Sequence, residues 1–310
     1  MIKKLLLIVS SLCFTILPSA AKTNIVFVDD TPGIFQHEIA ENDRCISYSE
    51  DSPFALNVIA DSIGVGLSAA GFVSATLFRM YGTFPDYVTG SIYNKAAVPA
   101  IDSWAMQPYN KALDTTATIV SVFDAALPVL TYGIEFLFSN LPKKDGLTLT
   151  VMYLETLLSA NAIKEALKIN ILRVRPYMYF DNYDSTAIKY HDFEFSFPSG
   201  HTLNAFAGAT FLTYTFCKYY PNTVWRIPVI ATSYAIAIGT GILRMASGNH
   251  FFTDVLAGAA IGSACGFLVP FAHTFIAKAN SKLASYSKKT GNPKIELAAL
   301  PLGMSVSVKF

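Results

Sequence analysis

The chain has 310 residues, 52% of them hydrophobic and 15% charged, with a formal net charge of +1. An ordinary soluble domain carries about a quarter charged residues, so this balance excludes a typical soluble enzyme and points to a membrane protein. Near-neutrality leaves no global field to gather nucleic acid, and Cys13, Cys45, Cys217 and Cys265 have neither the density of a disulfide framework nor the spacing of a zinc site.

At the amino end, Lys3 and Lys4 precede an apolar run over residues 5–17, followed by Pro18, Ser19, Ala20 and Ala21. This order predicts a secretory leader over residues 1–21. The alternative is an uncleaved anchor, for which about 13 apolar residues are short. Residues 22–53 form a polar segment with Asp29, Asp30, Glu38, Glu41, Asp43 and Glu50.

The run over 54–78 is long enough to cross a bilayer, with Asp61 its one charge. Residues 79–117 are polar and hold Pro85, Pro99 and Pro108. A second candidate span, 118–138, contains Asp124, Pro128 and Glu135, whose polar groups need partners in hydrocarbon. The third, 147–167, carries Glu155, Lys164 and Glu165 and continues into Lys168. Charged and aromatic residues then dominate 169–198. Spans at 202–216, 227–243 and 255–276 follow, divided by a short polar connection around Lys218 and Arg226.

The pattern predicts an all-α integral membrane bundle of about six spans, because backbone groups in lipid must be satisfied within the segment. Length alone suggests roughly two domains, but successive apolar spans pack as one, over residues 54–277 with a motif core at 150–270. Ala205, Ala207, Gly208 and Ala209 in the fourth span, and Ala257, Gly258, Ala259, Ala260, Gly262 and Ala264 in the sixth, suit close helix packing. A basic tail over 278–310 holds Lys278, Lys282, Lys288, Lys289 and Lys294. Its alternating end resembles one outer-membrane strand, which alone makes no barrel, so a small ordered tail is expected.

Three short runs carry chemistry. Lys168 and Arg175 are about two helical turns apart and share a face if the helix runs that far. Pro176 biases Arg175 away from helical dihedrals and marks the opening of a loop. Each cation taken alone reads equally as a snorkelling side chain at a span end. Ser199, Gly200 and His201 follow Pro198 and immediately precede an apolar helix, so their backbone N–H groups lie where an anion binds readily; alone, the run also reads as a cap and turn. His250 and Asp254 are separated by four, one helical turn, so the carboxylate can hold one imidazole nitrogen and leave the other free as a nucleophile. Arg244 adds a third cation, and the bland reading here is a loop histidine bonded to a helix cap. Alternating helices place all three runs at one membrane face, which outweighs the separate bland readings.

Lys168 with Arg175 and Pro176, then Pro198 to His201, then Arg244, His250 and Asp254 resemble the tripartite signature of the type 2 phosphatidic acid phosphatase superfamily. One departure is Leu243, where the family usually has serine. The resemblance implies a membrane phosphatase that hydrolyses a lipid phosphate or diphosphate monoester through a phosphohistidine. His250 would attack phosphorus, Asp254 orient it, and His201 protonate the leaving group and then activate water. Lys168, Arg175, Ser199, Gly200 and Arg244 would hold the phosphate oxygens. No metal or other cofactor is implied, in keeping with a sequence that shows no cluster of carboxylate and histidine ligands.

The expected substrates are phosphatidate, phosphatidylglycerophosphate, polyprenyl pyrophosphate or the phosphates of lipid A. A vanadium haloperoxidase-like enzyme shares the signature, but membrane spans disfavour it. A non-enzymatic bundle that binds or transports lipid phosphates is the third reading. His191 and Asp192 read as a solvated loop pair facing the site; Asp61 has no partner identifiable by spacing, and His37 and His273 carry no argument. A secreted amino end followed by two crossings would put the motifs in the cytoplasm, whereas the basic tail with Lys143, Lys144, Lys218 and Arg226 puts them outside. The expectation is a multi-pass protein of a bacterial inner membrane with a periplasm-facing site, either because the leader differs in detail or because the span at 118–138 does not cross.

Overall fold

A computed structural model describes residues 52–56, 58–84, 93–138, 141, 143–181, 192–290, 294–300 and 303–309. The leader expected at 1–21, nearly all of the polar segment, and His37, Cys45 and His191 lie outside the described residues. Six long helices account for most of the rest. They are α1 (Val58–Tyr81), α2 (Lys111–Leu137), α3 (Lys143–Ile171), α4 (Gly200–Tyr219), α5 (Arg226–Ala246) and α6 (Phe252–Thr290). A single helical turn, Ala100–Ser103, lies between α1 and α2.

The expected six-helix bundle is therefore present, with one qualification about crossing. Helices α1, α2, α3, α5 and α6 are long and apolar enough to span a membrane, whereas α4 falls outside that group. The reason lies in its position. It packs against α2, α3, α5 and α6, so Thr202, Thr210 and Thr215 are buried among helices and its outward hydropathy need not match lipid.

Backbone proximity makes this packing possible. A Cβ on Gly258 would lie 2.5 Å from the Ser199 carbonyl oxygen, one on Gly262 would collide with that of Leu203, and one on Gly266 would lie 2.7 Å from that of Ala207. The three glycines recur every four residues and form a bare stripe on α6 along which α4 lies. On its other side, Gly208 of α4 meets the Asp124 backbone at 2.9 Å for a built Cβ. Tyr153 and Tyr132 add hydroxyl bonds to the Ala125 carbonyl (2.5 Å) and to Thr215 (2.6 Å).

Helix α2 begins seven residues before the apolar run and is continuous through Pro128. Asp124 is wholly buried in the bundle, while Ile119, Val122, Phe123, Val129, Leu130 and Ile134 face outward. Its acid thus points away from lipid, and the expectation that α2 stops short of crossing finds no support in its length.

The tail folds as a hairpin of two antiparallel strands, β1 (Lys294–Leu300) and β2 (Gly303–Lys309), in register from Lys294 opposite Lys309 to Leu300 opposite Gly303. The hairpin lies against α6 and α1. It adds a small β element to an otherwise helical fold, as an ordered tail with period-two alternation implies.

Candidate active site

Five helices bring polar groups to one end of the bundle. Helix α3 ends at Ile171, and Leu172 adopts a positive φ of 45° that turns the chain out of the helix. Arg175 then sits in extended backbone before the turn Pro176–Tyr179. Lys168 and Arg175 consequently do not share a helical face, and the helix opens at Leu172, ahead of the Arg175–Pro176 position that the sequence suggested. Both side chains are buried, and the Lys168 ammonium donates to the Phe195 carbonyl at 2.8 Å.

Ser199 is the residue before α4 and has no side-chain capping bond; its hydroxyl pairs instead with Thr202 at 2.9 Å. Its N–H is also occupied, donating to the Asp254 carbonyl at 3.0 Å. The N–H groups of Gly200 and His201, in the first turn of α4, have no carbonyl one turn back to bond. Gly200 is tightly enclosed, since a Cβ there would lie 3.0 Å from the Lys164 side chain. His201 Nε2 is 3.2 Å from the Thr118 hydroxyl of α2.

Between α5 and α6, Gly248 has φ of 76°, and a side chain there would strike the Gln107 and Pro108 carbonyls. This turn keeps His250 outside α6, which begins at Phe252. The one-turn helical spacing read from the sequence is thus replaced by a loop histidine facing the first turn of a helix. His250 Nδ1 lies 3.7 Å from Asp254 Oδ2, an ion-pair distance, and among the described residues has no hydrogen-bond partner. Its Nε2 faces an Arg175 guanidinium nitrogen at 3.3 Å.

Arg175 is the junction of the site. Besides His250, it donates to the Asn249 carbonyl at 3.2 Å, the Asp192 carbonyl at 2.9 Å and the Asp192 carboxylate at 2.9 Å. Arg244 is buried and pairs with Asp114 near the start of α2, while its Nε has no partner among the described residues. Asp114 therefore supplies an anchor for Arg244, and Leu243 replaces the usual serine without leaving the arginine unheld.

The electrostatics follow from this crowding. Burial pushes the His250 imidazole well below its ordinary range, and Arg175, Arg244 and Lys168 push it the same way. Around Asp192, burial favours the neutral acid, but Arg175, Lys168 and Arg79 outweigh it and hold the carboxyl well below the usual carboxylate range. With 43% of its side chain exposed, the cations carry more weight than burial in this balance. Asp192 is thus a counter-ion to Arg175 and Arg79 rather than a solvated loop residue.

Several residues escaped sequence reasoning. Arg173 donates to Asp254 Oδ1 at 2.6 Å, to the Thr253 hydroxyl at 2.7 Å and to Asp102 at 2.6 Å. Asp102 in turn accepts from the Thr253 N–H and hydroxyl, both at 2.8 Å. Ser196 donates to Asp254 Oδ2 at 2.5 Å, as does the Phe251 N–H at 2.8 Å. The Asp254 carboxylate is therefore fixed by the donors of Arg173, Ser196 and Phe251 and has no freedom to rotate away from His250. The signal available was weak: Arg173 is one more cation beside Arg175, and Asp102 lies in the short helical turn Ala100–Ser103, about 150 residues away in the chain.

A helical membrane bundle with two histidines, buried cations and a clamped carboxylate at one end defines an anion-handling membrane protein. A family model described as the PAP2 superfamily matches residues 149–276. Phosphatidylglycerophosphatase B of Bacillus subtilis (strain 168) is 30% identical over 164 residues, which are 53% of this chain and 75% of that protein. The lipid A 4'-phosphatase of Porphyromonas gingivalis is 30% identical over 138 residues, 43% of this chain and 55% of the relative. Among solved structures, a transmembrane PAP2-type phosphatidylglycerolphosphate phosphatase from Bacillus subtilis covers 74% of this chain and 98% of its own, at 23% identity and a TM-score of 0.41. The chain belongs to the PAP2 superfamily.

Proposed function

We propose that the protein is a metal-independent lipid phosphatase that works through a phosphohistidine. The observation that carries this reading is the setting of His250, with Asp254 toward Nδ1 and the Arg175 guanidinium toward Nε2. A phosphoryl group bound by Arg175, Lys168, Arg244 and the Gly200 and His201 N–H groups would lie against Nε2. Attack by Nε2 forms the N–P bond and breaks the bond to the lipid oxygen, while His201, which burial and Arg244 hold well below its ordinary range until the bound phosphate offsets the cations and lets it take up a proton, gives that oxygen the proton. His201 then takes a proton from water, which attacks phosphorus and releases inorganic phosphate and free His250. Asp254, 3.7 Å from Nδ1, would close on that nitrogen and stabilise the imidazolium as it forms.

The cations that depress His250 also keep it neutral and nucleophilic, and an incoming phosphate would offset their charge. The apolar outer surface lets a lipid's acyl chains stay in the bilayer while its headgroup reaches the cationic end. Relatives that act on phosphatidylglycerophosphate and lipid A favour glycerophosphate or saccharide phosphate headgroups, with phosphatidate and polyprenyl pyrophosphate as further members of the panel. The experiment is phosphate release from these lipids by purified protein in EDTA, with vanadate as inhibitor. Turnover that persists in chelator and falls with vanadate supports the reading, and strict dependence on added metal overturns it.

The site is proposed to face the periplasm of a bacterial inner membrane. Lys143, Lys144, Lys218, Arg226 and the basic tail lie at the ends of the helices opposite the site and belong in the cytoplasm under the positive-inside rule.

A further inference from the structure

The bundle holds a second gathering of ionisable side chains. Asp61 on α1, Glu155 on α3 and His273 on α6 each offer a ligand-type atom, and these three atoms lie within 4.8 Å of one another. This corrects the reading that the chain has no carboxylate–histidine cluster and that Asp61 has no neighbour of use; Glu155 and His273 are 118 residues apart, beyond any spacing rule. At a helical rise of about 1.5 Å per residue, Glu155 lies about 20 Å from Lys168 along α3, and His273 about 28 Å from Asp254 along α6. The cluster is therefore in the opposite half of the bundle and shares nothing with the phosphate centre. Asp61 is 6% exposed and His273 2%.

The orientation of His273 is a separate observation. Its Nδ1 is 2.8 Å from the Ala55 carbonyl oxygen, an atom that can only accept, so Nδ1 carries the hydrogen. Nε2 pairs with Glu155 Oε2 at 3.4 Å, and a divalent cation would take the place of the proton between that imidazole nitrogen and the carboxylates. An imidazole whose one nitrogen donates to a backbone carbonyl, while the other is turned into a group of carboxylates, has the tautomer and aim of a metal-ligating histidine. One imidazole with two carboxylates is a nitrogen–oxygen donor set suited to a zinc-class divalent ion. The location gives such an ion a structural role, because α1 is the least enclosed of the spans, with 6% of its apolar window buried inside the protein. A ligand from each of α1, α3 and α6 would tie that helix into the bundle, and Ala55 would tie in the segment before it.

We propose that Asp61, Glu155 and His273 bind one zinc-class divalent cation that clamps α1 to α3 and α6. The test uses the full chain in detergent, stripped with chelator, incubated with zinc chloride and desalted before elemental analysis. The expected result is about one zinc per chain and a higher thermal midpoint with zinc than without, since metal binding to the folded state adds to its stability. His273→Ala and Glu155→Gln should lose both the zinc and the shift, whereas Asp254→Asn should retain them. Should a variant fail to fold, cobalt(II) absorption of the wild-type protein, displaced by zinc, reads the same site. Sub-stoichiometric zinc in the wild type, or undiminished zinc in the folded variants, overturns the proposal; so does a wild-type cobalt spectrum identical to that of the free ion.

Discussion

Asp254 is held by Arg173, Ser196 and the Phe251 N–H, and this makes the proposed nucleophile a positioned group. Arg173→Gln removes the donor to Asp254 Oδ1 and should lower kcat with little change in KM. A misplacement of about 1 Å costs about 10²-fold, and Arg173→Lys, which keeps a charge but not the fork, should recover part of it. His201→Ala should cost about 10²- to 10⁴-fold in kcat, the usual contribution of a general acid. His250, held below the ordinary histidine range by burial, Arg175, Arg244 and Lys168, stays unprotonated as pH falls through the value of a free histidine. The acid limb of kcat/KM, which reports the free enzyme, should accordingly lie below about pH 6.5; a limb at or above it would contradict this setting. The same sign applies to stability: below that pH the unfolded chain takes up a proton that folded His250 refuses, so stability declines with acidification. The three motifs stood out by residue type, while the helical spacing read for Lys168 with Arg175 and for His250 with Asp254 gave way to loops. Arg173, Ser196, Asp102 and Asp114 could not, because their roles arise from contacts between distant segments. The same blindness hid the Asp61, Glu155 and His273 cluster.

Helix α4 shows what hydropathy does and does not report. Its apolar run located it, yet its threonines and its place among α2, α3, α5 and α6 make it the least lipid-like of the six helices. The small residues of α6 announced close packing, and their partner became visible only in the fold, where Gly258, Gly262 and Gly266 meet the α4 backbone. Gly262→Val would overpack this seam, and overpacking costs about 1–3 kcal/mol. The thermal midpoint should fall, with a smaller fall for Gly239→Val, whose Cβ position is open. Helices α2 and α6 extend beyond their apolar runs, to Lys111 and to Thr290. At the start of α2 one of the additional residues, Asp114, reaches Arg244, and Thr118, the first residue of the apolar run, reaches His201. A span reading based on apolarity ends where the functional polar groups begin.

For the whole molecule, the proposed orientation rests on charge. Helices α3 and α5 end at the site, and α4 and α6 begin there, so the lysines at 143 and 144 and those of the tail share the opposite face. With native cysteines replaced, Cys placed at 191 should react with an impermeant reagent in intact cells, and Cys placed at 143 only after lysis; the reverse pattern would place the site in the cytoplasm. The helical bundle was legible from composition and the apolar runs, whereas the hairpin at Lys294–Leu300 and Gly303–Lys309 was visible only as alternation. The most direct measurement is rapid quench of the purified protein in EDTA after mixing with a lipid phosphate labelled at phosphorus. The account predicts an acid-labile, base-stable phosphoprotein in the wild type, its accumulation on slowed hydrolysis, and its complete absence in His250→Ala. Phosphate release by a folded His250→Ala protein at the wild-type rate, or label retained on that variant, would contradict it.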